Sequence, residues 1–497
     1  MGELAYHDFF LQNWEKLFGP TGKRQPSVVV WPDEARPRMG VLYGGIGTGK
    51  TQLVTALASF DAFKRVAGLS PRGFALLDNQ EDLFNTVFDR LALLALIYPA
   101  LYDLVYIIDP TNKDWSIKYD LCELQPWETP EAKASQLAMD FMYLFEDDPK
   151  VHVRQYRITS LSFMALILDH RSVLDLPMFL TDRPFREALV KRLGHPVLIS
   201  YWLHQFPQRH ADAMAWIEST MSRVERFIYM NEGIQFMLEG PSTINIRALM
   251  DGGAIILVNA PIRLLKDSPS SLFLGSILGA LRDAAMSRTD IPIHKRVPFT
   301  AYCDEFQEYT TDAIRQGFAL GRKLRWELFL STQNVQALRK QDELREILRE
   351  LAGNILTMRL GRRDAEILYK YLFTPEIDQV KAYVENKPVF RGLNEIQEFE
   401  IRKLTECPDR MVYWKRIGYP GSHYFRTPTV TDLESHPNYL LLPEARRRLE
   451  MAAFRLAGRR KVKRLPAPRQ MPQDGQEAPS GAEGGEGGTN LVGFWSD

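Results

Sequence analysis

Apolar and polar positions along this chain fall into two regimes. In the first, short continuous apolar runs stop abruptly at polar residues. Met39–Tyr43 runs into a glycine-rich loop, Gly73–Leu77 into Asp78-Asn79-Gln80-Glu81-Asp82, and Leu104–Ile108 into Asp109-Pro110. Ala254–Asn259, Phe299–Cys303 (before Asp304-Glu305), Glu327–Leu330 (before Ser331-Thr332-Gln333) and Ile355–Met358 continue the series. Runs of this length without alternation predict strands buried on both faces, as in a parallel sheet covered by helices. Helical periodicity fills the intervals, and the alternation predicts an α/β core. In the second regime, residues 135–238, the period is helical throughout, most clearly at Leu161–Leu168 and Ala211–Ile228. That stretch predicts an all-helical insertion.

The remaining patterns set the boundaries. Residues 1–37 read as a lead-in with an amphipathic helix at Phe9–Phe18 and a strand-like Ser27–Trp31. Residues 38–134 form the first part of the core, 135–238 the insertion, and 239–440 the second part of the core. The second part ends in a predicted β-hairpin, Arg410–Lys415 and His423–Arg426 around a Gly-Tyr-Pro-Gly turn. Residues 441–465 are a basic segment and 466–497 a Pro-, Gly-, Gln- and Glu-rich tail expected to be disordered.

Composition narrows the picture only slightly. The 497 residues carry 62 Lys+Arg and 62 Asp+Glu, so a nucleic-acid partner would have to be met by local patches and not by global charge. Cys122, Cys303 and Cys407 lie far apart and predict reduced, buried thiols in a cytoplasmic protein. The most apolar stretch, Leu91–Ile108, is broken by Pro99 and Asp103, so direct membrane insertion is not expected. The N-terminus lacks the basic-then-apolar layout of a signal peptide.

The chemistry lies at strand ends. Gly44-Gly45-Ile46-Gly47-Thr48-Gly49-Lys50-Thr51 matches the phosphate-loop pattern G-x-x-x-x-G-K-[ST] at every specified position. Glycines let the backbone turn its N–H groups toward one point, and the following helix, from Lys50 through Gln52, adds its positive end there. Lys50 is placed for the terminal phosphates of ATP and Thr51 for Mg²⁺. Asp304-Glu305, closing a separate buried strand, supplies what such a loop lacks: one carboxylate for Mg²⁺ and one to polarise water. An acidic pair at a strand end is, taken alone, also what a solvated terminus looks like. Gln333 is the candidate γ-phosphate sensor, with a helix cap as its ordinary alternative. Arg322 is the candidate arginine finger acting on a neighbouring subunit, with a surface ion pair as alternative and Arg325 as local rival.

In this order the motifs resemble the FtsK/HerA superfamily of ring-shaped ATPases, and within it the soluble parts of type IV secretion coupling proteins of the TraG/TraD kind. The resemblance covers roughly residues 38–432. It rests on Gly44–Thr51, Asp78 with Asp82-Leu83, Asp109-Pro110, Asn245–Met250 leading into the Ala254–Asn259 strand, Tyr302-Cys303-Asp304-Glu305-Phe306-Gln307, Gly321-Arg322-Lys323, Thr332-Gln333 and Arg363-Asp364-Ala365. The interval from Arg322 to Gln333 (333 − 322 = 11) also fits that family's finger and glutamine. The resemblance implies a RecA-like core, a hexameric ring with ATP sites between subunits, DNA threaded through the centre, and an all-helical domain at one mouth. Coupling proteins of this kind usually carry N-terminal membrane helices, whereas here the core pattern starts close to the first residue. The expectation is therefore a soluble DNA translocase, or one recruited to a membrane by a partner. The rival readings are a nucleotide-gated scaffold for a nuclease or relaxase and a protein-export motor. Partners of these kinds, or a secretion channel, are expected to meet the helical domain or the C-terminal tail.

Several features outside the core have plain readings. Arg446-Arg447-Arg448 and Arg459–Arg464 form either a DNA-phosphate contact or a solvated segment. Leu491–Asp497 forms a docking peptide or an inert tail. His152, His170, His195, His204 and His210 show no zinc-helix spacing, and Trp202, Phe206 and Trp216 are expected in the helical core.

Overall fold

The computed structural model describes residues 35–461 apart from 145–151, 229–230, 310–311, 334, 339–345, 347, 349–351, 374–379, 385–386, 391, 417, 419–420 and 428–432. The expected elements at Phe9–Phe18 and Ser27–Trp31, the tail from 466 and the basic residues 462–464 lie outside the described residues.

The chain starts as β1 (Gly40–Tyr43), α1 (Lys50–Val66), β2 (Gly73–Asp78), α2 (Asp82–Ile97), β3 (Val105–Ile108) and a two-residue β4 (Trp115–Ser116). A helical region follows, with α3 (Pro130–Leu144), α4 (Val153–Leu168), α5 (His210–Ile228) and shorter helices around them. The core resumes with β5 (Ile255–Asn259), α6 (Asp267–Ser287), β6 (Phe299–Cys303), α7 (Asp312–Leu324), β7 (Trp326–Thr332) and β8 (Asn354–Thr357). Next come α8 (Arg362–Leu372), a small hairpin β9 (Val380–Val384) and β10 (Lys387–Phe390), and α9 (Leu393–Thr405). The chain then forms the hairpin β11 (Met411–Arg416) and β12 (His423–Arg426), α10 (Leu442–Ala457) and β13 (Arg459–Arg460).

Nine strands form one sheet in the order β12-β11-β8-β1-β7-β6-β2-β5-β3. From β8 to β3 every pairing is parallel, and β11 and β12 are added antiparallel. The strands are apolar on both sides because both sides are covered. Leu42, Phe74 and Leu76 enter one core with α1 and α2. Val41, Tyr43, Ala75 and Leu77 enter the other, which runs without a break into Phe163, Trp202 and Met237 of the helical region. The insertion is therefore packed against one face of the sheet. Its centre is aromatic: Trp202 lies 5.1 Å from Phe179 and 4.8 Å from Phe206, centroid to centroid. The three cysteines are free and buried. Among the described residues no helix is long and apolar enough to cross a membrane.

Several features differ from the sequence expectation. The helical region begins at Pro130, earlier than residue 135, and β7 extends through Ser331 and Thr332. The hairpin β9–β10 and the β4–β13 pairing have no local sequence signal. The basic stretch at 446–448 is no free arm. It lies on α10, whose Ala445, Leu449 and Ala453 are buried in the same core as α2. Arg446 there pairs with Asp89 and donates to Asn85 Oδ1 at 3.0 Å, so its charge is already matched within the chain.

Candidate active site

Parallel register brings the polar strand ends to one edge. Tyr43 aligns with Thr332, Cys303 with Leu330, and Leu77 with Cys303. The residues that follow, Gly44, Gln333, Asp304 and Asp78 at the close of β2, therefore meet at the carboxyl ends of the strands. Ligands of open α/β sheets bind at that edge.

The loop between β1 and α1 is held from three sides. Gly44 N–H donates to Thr332 O at 3.2 Å, Gly45 N–H to Arg359 O at 2.9 Å, and Arg410 N–H to Thr48 O at 2.8 Å. Gly44 must be glycine for space, since a β-carbon there would lie 2.9 Å from Thr48 Oγ1 and 3.0 Å from Met358 Cβ. Gly49 must be glycine for conformation: its φ is 105°, in the left-handed region. As the N-cap it offers no side chain to α1, which leaves the first N–H groups of that helix for another acceptor. Thr48 is buried and closes the loop by donating to Gly45 O at 2.8 Å, whereas Ile46 at the tip is exposed. Lys50 is buried as well; its ammonium donates to Gly44 O at 2.8 Å and stands 3.6 Å from Glu305 Oε1. Thr51 and Gln52 follow, half-buried, on the first turn of α1.

Opposite the loop is a cluster of buried carboxylates. Asp304 is pushed up to about 7 by burial, with Asp78 and Glu305 adding like-charge repulsion. Its Oδ1 is buried and has no hydrogen-bond partner. Burial also raises Asp78 to about 6, although Gln80 N–H and Phe84 N–H donate to it at 2.7 and 2.8 Å. Glu305 sits at φ 44° and accepts from Gln307 Nε2 at 2.7 Å. Two buried carboxylates that repel each other, one with an oxygen lacking a donor, form a site for a cation. Mg²⁺ fits it, because that ion takes few protein oxygens and keeps water and phosphate ligands. Asp304 and Thr51 are the residues that would hold it.

Of the residues singled out in the sequence, the structure brings together the loop, Lys50, Thr51, Asp304, Glu305 and, at the end of β7, the half-buried Gln333. Arg322 is not brought there. It is exposed on the last turn of α7, next to the start of β7, and that strand's seven residues separate the two edges by about 20 Å. Arg325 lies at the same far edge, where its carbonyl accepts from Phe299 N–H at 3.0 Å. Two contributors were not anticipated. Asp78 reads in the sequence as a strand end only, and Arg410 as the first residue of a hairpin strand. Nothing local in the sequence connects either one to the loop.

No family model and no curated protein matches the chain. Its fold, however, is similar to that of solved structures of TrwB. The bacterial conjugative coupling protein TrwBdeltaN70 in its unbound monoclinic form aligns with a TM-score of 0.58 at 15% identity, over 83% of this chain and 91% of that one. The plasmid coupling protein TrwB in complex with ADP and Mg²⁺ aligns with a TM-score of 0.56 at 15% identity, over 83% and 90%. TrwB with a non-hydrolysable ATP analogue aligns with 0.56 at 14% identity, over 83% and 91%. The chain thus has the RecA-like α/β fold of TrwB, with its inserted helical region.

Proposed function

We propose that this protein is an ATP hydrolase that works as a ring and moves DNA. One observation carries the ATPase reading: Lys50 of the glycine loop and Glu305, just past the end of β6 and 255 residues later (305 − 50 = 255), are both buried and stand 3.6 Å apart. The TrwB structures with ADP and Mg²⁺ and with an ATP analogue support the choice of ligand. The conjugative coupling role named for TrwB supports DNA as the load.

The residues divide the work. Gly44–Gln52 wrap the phosphates with backbone N–H groups, and Lys50 leaves Glu305 to neutralise the terminal phosphates. Mg²⁺, when bound, would supply positive charge that offsets the charge developing on the phosphates. Thr51 and Asp304 would hold the metal, and Glu305 would orient and polarise the attacking water. Gln333, adjoining Gly44, reads the γ-phosphate. Arg322, exposed and at the opposite edge of the sheet, would serve a neighbour's site. Each site is then completed by a second copy, as in a hexamer, and turnover depends on assembly. The helical region is proposed as the surface for a nuclease, relaxase or channel partner.

The test is ATP turnover with and without duplex and single-stranded DNA, with the mass followed by light scattering. Stimulation by either DNA in a multi-subunit species is expected. Turnover indifferent to DNA would favour the scaffold reading, and stimulation by an exported protein alone would favour the export motor. Arg322→Ala is expected to bind ATP without hydrolysing it. Mixing it with Lys50→Ala should restore part of the activity, and no recovery at any ratio would remove the finger from Arg322.

A further inference from the structure

The strand order puts different groups on the two sides of the glycine loop. On one side of β1 and β7 lie β6 and β2 with the carboxylates; on the other lie β8 and β11. If the terminal phosphate faces Glu305, as proposed above, the α-phosphate and nucleoside extend toward the β8–β11 side. Basic residues border that side. Arg359 follows β8 and pairs with Asp409 at 2.8 Å, and Arg410 immediately precedes β11.

Arg410 is held against the loop by more than proximity. Its N–H donates to Thr48 O at 2.8 Å, and its carbonyl accepts from Thr427 N–H at 2.7 Å. A β-carbon placed on Gly49 would lie 3.0 Å from Arg410 Cγ, so the arginine stem covers the residue just before Lys50. Its backbone is at φ 66°, a region that favours glycine. A long cationic side chain held in that conformation carries a backbone cost. Glu305, across from the loop, is also left-handed, at φ 44°.

We propose that Arg410 binds the α-phosphate of the nucleotide held by its own subunit, opposite the metal side of the loop. This rests on the ATPase reading and adds a residue to it. The left-handed backbone permits a clean test, because Arg410→Gly removes the side chain without adding strain. Arg410→Gln keeps most of the stem and removes the charge. Titration of the full-length protein with Mg·ATP and with Mg·ADP by calorimetry is expected to show both affinities weakened, by the same factor of roughly 10–100, in each variant. Thermal unfolding without nucleotide is expected to be unchanged for Arg410→Gly. Wild-type affinity in Arg410→Gln would overturn the proposal, leaving the stem as packing alone. A loss confined to ATP would also overturn it, because it would move the contact to the γ-phosphate. If the wild-type protein binds neither nucleotide, the ATPase reading itself falls. If it binds both and the variants bind equally well, only the role of Arg410 falls.

Discussion

Two polar clusters flank the same strands, one near where β1, β2, β6 and β7 begin and one where they end. Under α1, near the beginnings, Arg36 binds Asp61 through two hydrogen bonds of 2.6 and 2.8 Å, and Tyr302 Oη donates to Asp61 at 2.7 Å. Lys64 stands 3.7 Å from the same carboxylate, and Arg72 pairs with Glu327 beside Thr300. At the ends, Asp304 keeps an unpaired buried oxygen, and both side-chain atoms of Asn79 and Gln307 Oε1 are unpaired as well. Two buried aspartates then behave oppositely. Burial alone would raise Asp61, but Arg36 and Lys64 overcome it and hold the carboxyl at about 2. Asp304, buried among like charges, is pushed up to about 7. The first cluster is completed by the chain's own cations. The second is left short of positive charge, as a site for a metal and a nucleotide should be.

The contrast predicts that changes at the strand ends abolish chemistry and spare the fold, while changes under α1 do the reverse. The largest effect is expected for Lys50→Ala: turnover down by roughly 10³-fold or more, with little change in thermal unfolding. Normal turnover in this variant would break the mechanism. Glu305→Gln comes next, with hydrolysis reduced roughly 10²–10⁴-fold while Mg·ATP still binds by calorimetry. Asp61→Asn leaves Arg36 buried without its counter-charge and should cost about 3–5 kcal/mol in denaturant unfolding, with turnover per folded molecule kept. Lost turnover at unchanged stability would merge the two clusters into one. Because Asp61 has a depressed folded-state value, its contribution is fully present above about pH 4, the ordinary aspartate range. It should fade as pH falls toward 2, so the gap between wild type and Asp61→Asn should narrow over that window. The smallest effect is expected for Tyr302→Phe, which removes the hydrogen bond to Asp61 and a long one from Arg36 and should cost about 1.5–3 kcal/mol without altering nucleotide affinity.

Much of this was legible in advance, for identifiable reasons. The apolar runs Gly73–Leu77 and Phe299–Cys303 mark buried parallel strands because no other ordinary element of that length is apolar on both faces. The glycine loop is spelled by its geometry, and Asp304-Glu305 by the end of its strand. Helical periodicity at Ala211–Ile228 marked a segment that is helical, within α5 (His210–Ile228). The reading failed where partners are distant and the signal is shared. Arg446 sits in a run that resembles a nucleic-acid contact, yet it meets Asp89. Arg410 looks like any residue opening a hairpin strand, yet it lies on Gly49. The β4–β13 pairing joins two residues at each end of a long separation and leaves no pattern at all.

The sequence by itself determined the kind of elements, the phosphate loop and the candidate acids, because periodicity and backbone geometry are local and leave their mark on neighbouring residues. The tertiary structure alone decided which strand ends meet, that Asp78 joins Asp304, that Arg322 lies at the opposite edge, and which buried charges find partners. Strand order and long-range register set those outcomes, and the energy of a buried charge depends on what surrounds it in space, whatever its neighbours in the chain.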